Sequence, residues 1–198
     1  MRMPLRAALP GLVLILSPAL TPAWGADAPA VIHYVLDPAK STLEFNFSQA
    51  GAQDKGKFKQ LAVSFDFAPD NLAASKLDVT IEVGSLDTGD QERDDTLRSA
   101  DLFAVAKFKQ AHFSATQIAK TASGYEALGK LTIRDVTREA RVPFALRTAT
   151  EGGASVAYMT GKTSVRRLDY GVGQGDWKAT DQVGNDVGVT FSLRLTPR

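Results

Sequence analysis

From Ser41 onward the apolar residues recur at every second position, the spacing that sends alternate side chains to one face of a β-strand. Leu43, Phe45 and Phe47 alternate with Thr42, Glu44 and Asn46; Val63, Phe65 and Phe67 with Ser64 and Asp66; Leu77, Val79, Ile81 and Val83 with Asp78, Thr80 and Glu82. The pattern returns at Leu131 and Ile133, at Val142, Phe144 and Leu146, and at Val187, Val189, Phe191, Leu193 and Leu195. Between the runs lie Ala68-Pro69-Asp70-Asn71, Ser123-Gly124, Glu151-Gly152-Gly153 and Gly173-Gln174-Gly175. This is turn chemistry, with Gly supplying positive φ and Asp or Asn bonding to nearby backbone. Strands in sequence joined by short turns predict an all-β antiparallel meander. Pro143 has no N–H for a ladder, which places its stretch at an edge, a bulge or a strand start.

One segment departs from the two-residue period. Residues 90–103 fit a helix, with Thr88 as its cap and Asp90, Glu92, Asp94 and Asp95 near its start, where negative charge suits the helix dipole. Asp94 and Arg98 are spaced as an i,i+4 pair, and Leu97, Leu102, Phe103 and Phe108 form the apolar side. Spacing alone leaves two readings open, a lid or plug on a barrel and an ordinary helix packed on a sheet.

The first 25 residues read as an export signal. Arg2 and Arg6 precede a largely apolar stretch from Ala7 to Leu20, and Ala23-Trp24-Gly25 supplies the small residues of a cleavage site. The stretch is interrupted by Pro10 and Pro18 and is shorter than the ~20 residues a membrane-spanning helix needs. Cleavage after Gly25 predicts an exported, periplasmic product, with residues 26–33 as a loose leader before a single domain over 34–198. Without Arg2 and Arg6, 21 basic residues face 22 acidic ones, a balance with no basic footprint for nucleic acid. The chain has no cysteine, so in an oxidising compartment its stability must come from packing.

The usual catalytic and metal-binding constellations are not assembled. His33 and His112 are the only histidines, and neither has the neighbours a metal site requires. Gly171-Val172-Gly173-Gln174-Gly175 is rich in glycine, but it lies between strands instead of opening a helix, so it reads as a turn. Asp94 with Asp95, and Asp66 with Asp70, read as solvated carboxylates: the first two are helix neighbours that point apart, and the second two flank a Pro turn. What remains is apolar area, including ten Phe. A barrel of about eight strands either fills with its own side chains or holds one slender ligand.

Three segments carry a family resemblance. Asp87-Thr88-Gly89 with Arg93-Asp94 and Leu97-Arg98-Ser99-Ala100-Asp101-Leu102-Phe103 resembles the helix motif of the YceI-like family of polyisoprenoid-binding periplasmic proteins. Gly129-Lys130-Leu131-Thr132-Ile133-Arg134-Asp135-Val136-Thr137-Arg138 is similar to its second motif, and Arg167-Leu168-Asp169-Tyr170-Gly171-Val172-Gly173 to its third. The likeness runs from about Tyr34 to Leu195. It implies an eight-stranded, lipocalin-like antiparallel barrel whose apolar bore holds an isoprenoid tail, that of a quinone or a prenyl phosphate. Asp135 stands where the family commonly has glycine, and Phe108-Lys109 where it commonly has Tyr-Pro. Gly175-Asp176-Trp177 resembles a branch related to cytochrome b561-type membrane proteins, which makes such a protein a candidate partner.

On this reading the bore is lined by Leu43, Phe45, Phe47, Phe65, Val79, Ile81, Leu131, Ile133, Phe144, Val189 and Phe191 from the strands, and by Leu97, Leu102, Phe103 and Phe108 from the helical segment. Arg93, Arg98 and Arg167 are the candidates to meet a head group. The expected function is a binding or carrier protein for a long-chain isoprenoid, with no catalytic residue, no metal and no cofactor beyond the bound lipid or quinone. Two alternatives stand beside it: a filled barrel that recruits a membrane partner, and a weak hydrolase or isomerase acting on the bound lipid.

Overall fold

A computed structural model of the protein describes residues 30–198; the segment read as an export signal lies outside them. The alternating runs become strands of one antiparallel sheet. Its strands are β1 (Ile32–Leu36), β2 (Thr42–Gln49), β3 (Ala52–Phe58), β4 (Leu61–Phe67), β5 (Lys76–Glu82), β6 (Leu86–Asp87), β7 (Gln110–Thr121), β8 (Gly124–Ile133), β9 (Val136–Glu151), β10 (Ala154–Arg166) and β11 (Asp186–Pro197). The ring runs β1-β4-β5-β7-β8-β9-β10-β11 and shuts where β1 pairs back onto β11, Tyr34 opposite Pro197 and Leu36 opposite Leu195. The result is the expected closed eight-stranded antiparallel barrel with one short helix.

Three of its staves are broken, and the breaks shape one end. A turn at Pro38–Lys40, capped by the Asp37 carboxylate, separates β1 from β2, which both pair with β11. Arg194 of β11 secures the break, its guanidinium lying 2.6 Å from Asp37 and 2.8 Å from Glu151. Beyond the breaks β2 pairs with β3, and β3 with the two-residue β6, but β6 has no strand on its other side. The chain from β6 to β7, which carries α1 (Gln91–Arg98), occupies that end.

The helix is shorter than its sequence suggests. It stops at Arg98, so Leu102 and Phe103 lie in the turns that follow it. Its N-cap is Asp90, whose carboxylate accepts from the Arg93 N–H at 2.9 Å. Thr88, expected as the cap, instead gives its backbone N–H and its hydroxyl to the Asp94 carboxylate, at 2.8 and 2.7 Å. Ile32 and His33, expected in the leader, already belong to β1, opposite Phe67 and Asp66.

Pro143 lies inside β9, where it faces Glu126 of β8, but the β9–β10 ladder ends one residue later at Phe144 opposite Gly161. The missing N–H therefore falls where one flank has no ladder, as a strand proline requires.

The other end of the barrel is solid. Tyr34, Phe65, Phe67 and Phe144 are buried there with the half-buried Tyr125. Their rings meet at centroid distances of 5.2 Å for Phe65–Phe67, 5.3 Å for Phe67–Tyr125, 5.5 Å for Tyr125–Phe144 and 5.9 Å for Phe65–Phe144. Edge-to-face and offset pairs of this kind add about 0.5–1.5 kcal/mol each beyond the area they bury. Phe65, wholly buried, touches three of these rings. Phe65→Ala is expected to cost about 3–5 kcal/mol, read as a lowered urea midpoint at unchanged slope; a loss below about 1 kcal/mol would mean that this plug is not a principal support.

Candidate functional site

A cavity of about 760 Å³ runs from beneath the aromatic plug to the α1 end of the barrel. Such a volume lies within the usual range for small-molecule sites. Its wall is built from the inward positions of the strands: Leu43, Phe45 and Phe47 of β2, Val79 and Ile81 of β5, Leu131 and Ile133 of β8, and Val189 and Phe191 of β11. Leu97, Leu102 and Phe103 reach it from the α1 segment. Three residues expected in the lining are elsewhere. Phe65 and Phe144 belong to the plug, because the ring of side chains there closes on itself before the bore begins. Phe108 lies beside the Lys107 ammonium and the Arg134 guanidinium, 5.0 and 5.4 Å from its ring centre.

The lining also holds residues that the alternation did not single out, among them Phe58, Phe113, Met159, Val165, Val172, Trp177 and Val183. The run Ala111-Phe113-Ala115 in β7 does alternate, but a bulge between Ala115 and Gln117 interrupts its period. Trp177 and Val183 come from the loop between β10 and β11, where periodicity carries no signal.

Two glycines help to keep the bore open. Phe45 stands opposite Gly56, and Phe191 opposite Gly161. A Cβ at Gly56 would come within 2.4 Å of Phe45 Cζ, and one at Gly161 within 2.3 Å of Phe191 Cζ. Each ring therefore rests over the neighbouring strand at a point where only glycine leaves space. At Gly56 the nearest atoms are all from the movable ring, so Gly56→Ala is expected to fold while pushing Phe45 into the bore. Uptake of a slender apolar probe by the bore, per folded molecule, should then fall, and unchanged uptake would show that Phe45 does not set the width.

The α1 end is held by arginines. Arg134 sits at φ +56° in the two-residue turn between β8 and β9, a backbone conformation uncommon for a side-chain-bearing residue. Its guanidinium donates to Leu102 O at 2.5 Å and to Gly171 O at 2.8 Å, joining the three segments that carry the sequence motifs. The Gly173 N–H adds a bond to Asp101 O at 3.0 Å.

Arg167, only 5% exposed, is the centre of the β10–β11 loop. Its Nε donates to Gly184 O; one Nη to Val172 O and Trp177 O; the other to Val183 O and, at 3.4 Å, to Ala179 O. Burial pulls this guanidinium below its ordinary pKa. All five of its N–H groups are spent, so Arg167 has none left for a head group. Gly173, at φ +122°, lies so close that a Cβ there would come within 2.0 Å of Arg167 Nη1.

Arg98 is likewise a fastener, bonded to Gly84 O and Leu86 O and paired with Asp95 at 3.0 Å and Asp94 at 3.7 Å. It is not part of the cavity lining. Of the three arginines expected at a head group, Arg93 stands on the rim, with Nη1 2.5 Å from Asp54 Oδ1. Arg167→Lys supplies three donors where five are used. It is expected to cost about 2 kcal/mol or more and to make residues 171–184 sensitive to limited proteolysis; a wild-type cleavage pattern would show that the loop holds without the fork.

Among the described residues no three His, Cys, Asp or Glu side chains are grouped to hold a metal ion, and no helix is long and apolar enough to cross a membrane.

Comparison with known proteins places this geometry. The YceI-like domain model matches residues 34–195. A UPF0312 protein of Enterobacter sp. (strain 638) is 46% identical over 83 residues, 42% of this chain and 43% of that protein. A UPF0312 protein of Yersinia enterocolitica is 43% identical over the same shares. The matched stretch thus spans less than half the length of these relatives. Among solved structures, Burkholderia cenocepacia BcnA superposes with a TM-score of 0.74 at 30% identity, over 80% of this chain and 98% of that one. A polyisoprenoid binding domain from Saccharophagus degradans superposes with a TM-score of 0.60 at 18% identity, over 84% and 99% of the two chains, and shares the fold.

Proposed function

Because the chain belongs to the YceI-like family, we propose that it is an exported carrier that shelters the tail of a long isoprenoid inside its barrel. The observation that carries this reading is the apolar cavity of about 760 Å³, closed by aromatic rings at one end and reached past α1 at the other. A fold relative described as a polyisoprenoid binding domain supports it. Export to the periplasm rests on the basic and apolar segment before residue 26. A cytochrome b561-type membrane protein as donor or acceptor of the lipid rests only on the likeness at Gly175-Asp176-Trp177.

The physics favours long tails. Each buried CH₂ contributes about 0.8 kcal/mol, so a five-carbon unit brings roughly 3–4 kcal/mol before association costs. Those costs are at least about 4 kcal/mol, so one unit fails and several succeed. If each carbon of the tail takes the space of one water in the liquid, roughly 30 Å³, the cavity of about 760 Å³ accepts about 25 carbons, or five units. Longer tails continue into the mouth, where burial is incomplete.

Mass spectrometry of an organic extract of the purified protein should recover an isoprenoid. In a series of prenyl alcohols, affinity is expected to climb with each unit up to about five and then flatten. An extract without prenyl lipid, together with no uptake across the series, would overturn the assignment.

A further inference from the structure

The cavity's polar groups gather where α1 faces the β2–β3 hairpin, and the balance of charge there restricts the head group. The charged residues of the lining are Asp54, Asp90, Glu92, Arg93 and Arg167. Arg167 has no donor to spare, and the charge of Arg93 is already opposed. Arg167 spends its N–H groups on the carbonyl oxygens of Val172, Trp177, Ala179, Val183 and Gly184. Arg93 is paired with Asp54 at 2.5 Å and lies 3.9 Å from Asp90. Glu92 and Asp90 are exposed on the helix side of the mouth, and Gln49 and Thr96 bring a carboxamide and a hydroxyl to the same rim.

From this arrangement we infer that the mouth selects an isoprenoid with an uncharged, hydrogen-bonding head, of the quinone or alcohol class, over a phosphorylated one. The inference rests on the reading of the cavity as an isoprenoid site and narrows it. A phosphate or diphosphate seated on the rim meets three carboxylates. Arg93 donates to Asp54 through one Nη alone, but its single positive charge is already opposed by Asp54 and Asp90, so a phosphate that bonds to its other N–H groups still meets net repulsion from the rim. An uncharged head avoids that repulsion; its carbonyl or hydroxyl oxygen can accept from the Gln49 carboxamide, and a hydroxyl head can donate to Thr96 Oγ1, whose own hydrogen goes to Glu92 O.

Two ligands that share a tail and differ only at the head isolate the effect: geranylgeraniol and geranylgeranyl diphosphate, titrated into the mature protein by calorimetry at low ionic strength. The alcohol is expected to bind at least about tenfold more tightly. Added salt should narrow the gap by screening the rim. Asp54→Asn, which releases Arg93, and Glu92→Gln, an exposed change that leaves the fold alone, should each narrow it by strengthening the diphosphate. Equal or tighter binding of the diphosphate by the wild-type protein would overturn the inference while leaving the isoprenoid reading intact, and so would a gap that neither salt nor Glu92→Gln alters. Binding of neither ligand would overturn the isoprenoid reading and this inference with it.

Discussion

Five backbone carbonyls converge on one buried guanidinium, and the open end of the barrel depends on that convergence. The loop from Val172 to Gly184 crosses the mouth with only the short 3-10 turn Gly175–Lys178 and a bridge from Val183 to Gln49 as regular structure, so several of its inward carbonyls have no ladder partner. A buried carbonyl without a donor costs about 1–3 kcal/mol, and arginine is the one side chain whose planar fork can meet five at once. With Arg167 as its centre, the loop holds Val172, Trp177 and Val183 against the bore. Arg134 performs the same service across the mouth, tying the end of the α1 segment to the same loop. The N–H groups of Arg167 are thus spent in building the entrance, and Arg93, the cation that stands at the rim, is paired with Asp54.

A chain this rich in apolar side chains would ordinarily close on itself, and three features prevent it here. The sheet is a closed ring, so its circumference is set by strand pairing and not by the side chains inside. Much of the aromatic bulk is drawn to one end, where Phe65, Phe67, Tyr125 and Phe144 form a plug that does not line the bore, while Phe45, Phe47, Phe58 and Phe103 pack ring against ring along its wall. Along the wall, Phe45 and Phe191 lie over Gly56 and Gly161. The barrel is therefore well packed in one half and hollow in the other, and the packed half can stabilise the fold whether or not a lipid is present.

The strands that alternate cleanly were legible because one of their faces is large and apolar and the other polar. β2 shows this plainly, with Leu43, Phe45 and Phe47 buried and Thr42, Glu44 and Asn46 exposed. β10 was not, because three of its inner positions, Ala157, Gly161 and Thr163, are small or polar, Gly161 lying under the Phe191 ring of the bore, and so do not mark the period. β3 lacked a signal for a like reason: its sequence, Ala-Gln-Asp-Lys-Gly-Lys-Phe, places a glycine where an apolar residue would mark the period. At the site, the aliphatic and aromatic lining of β2, β5, β8 and β11 followed from alternation, whereas Phe65 and Phe144 share that pattern and sit in the plug. Alternation reports which face a residue occupies, not its height along the axis.

The amino-acid sequence by itself determined the β architecture, the single helix interrupting it, the family, and which side chains of the cleanly alternating strands face inward, because these follow from the two-residue period and short local motifs. Only the tertiary structure decided that the interior is hollow, where the hollow stops, and what the arginines do. Those properties depend on how residues far apart in the chain meet: Phe65 with Phe144, Phe45 with Gly56 across a hairpin, Arg134 with Leu102 and Gly171, Arg167 with the loop it gathers. A guanidinium looks the same in a sequence whether it awaits a ligand or is already satisfied, and only the positions of its acceptors distinguish the two.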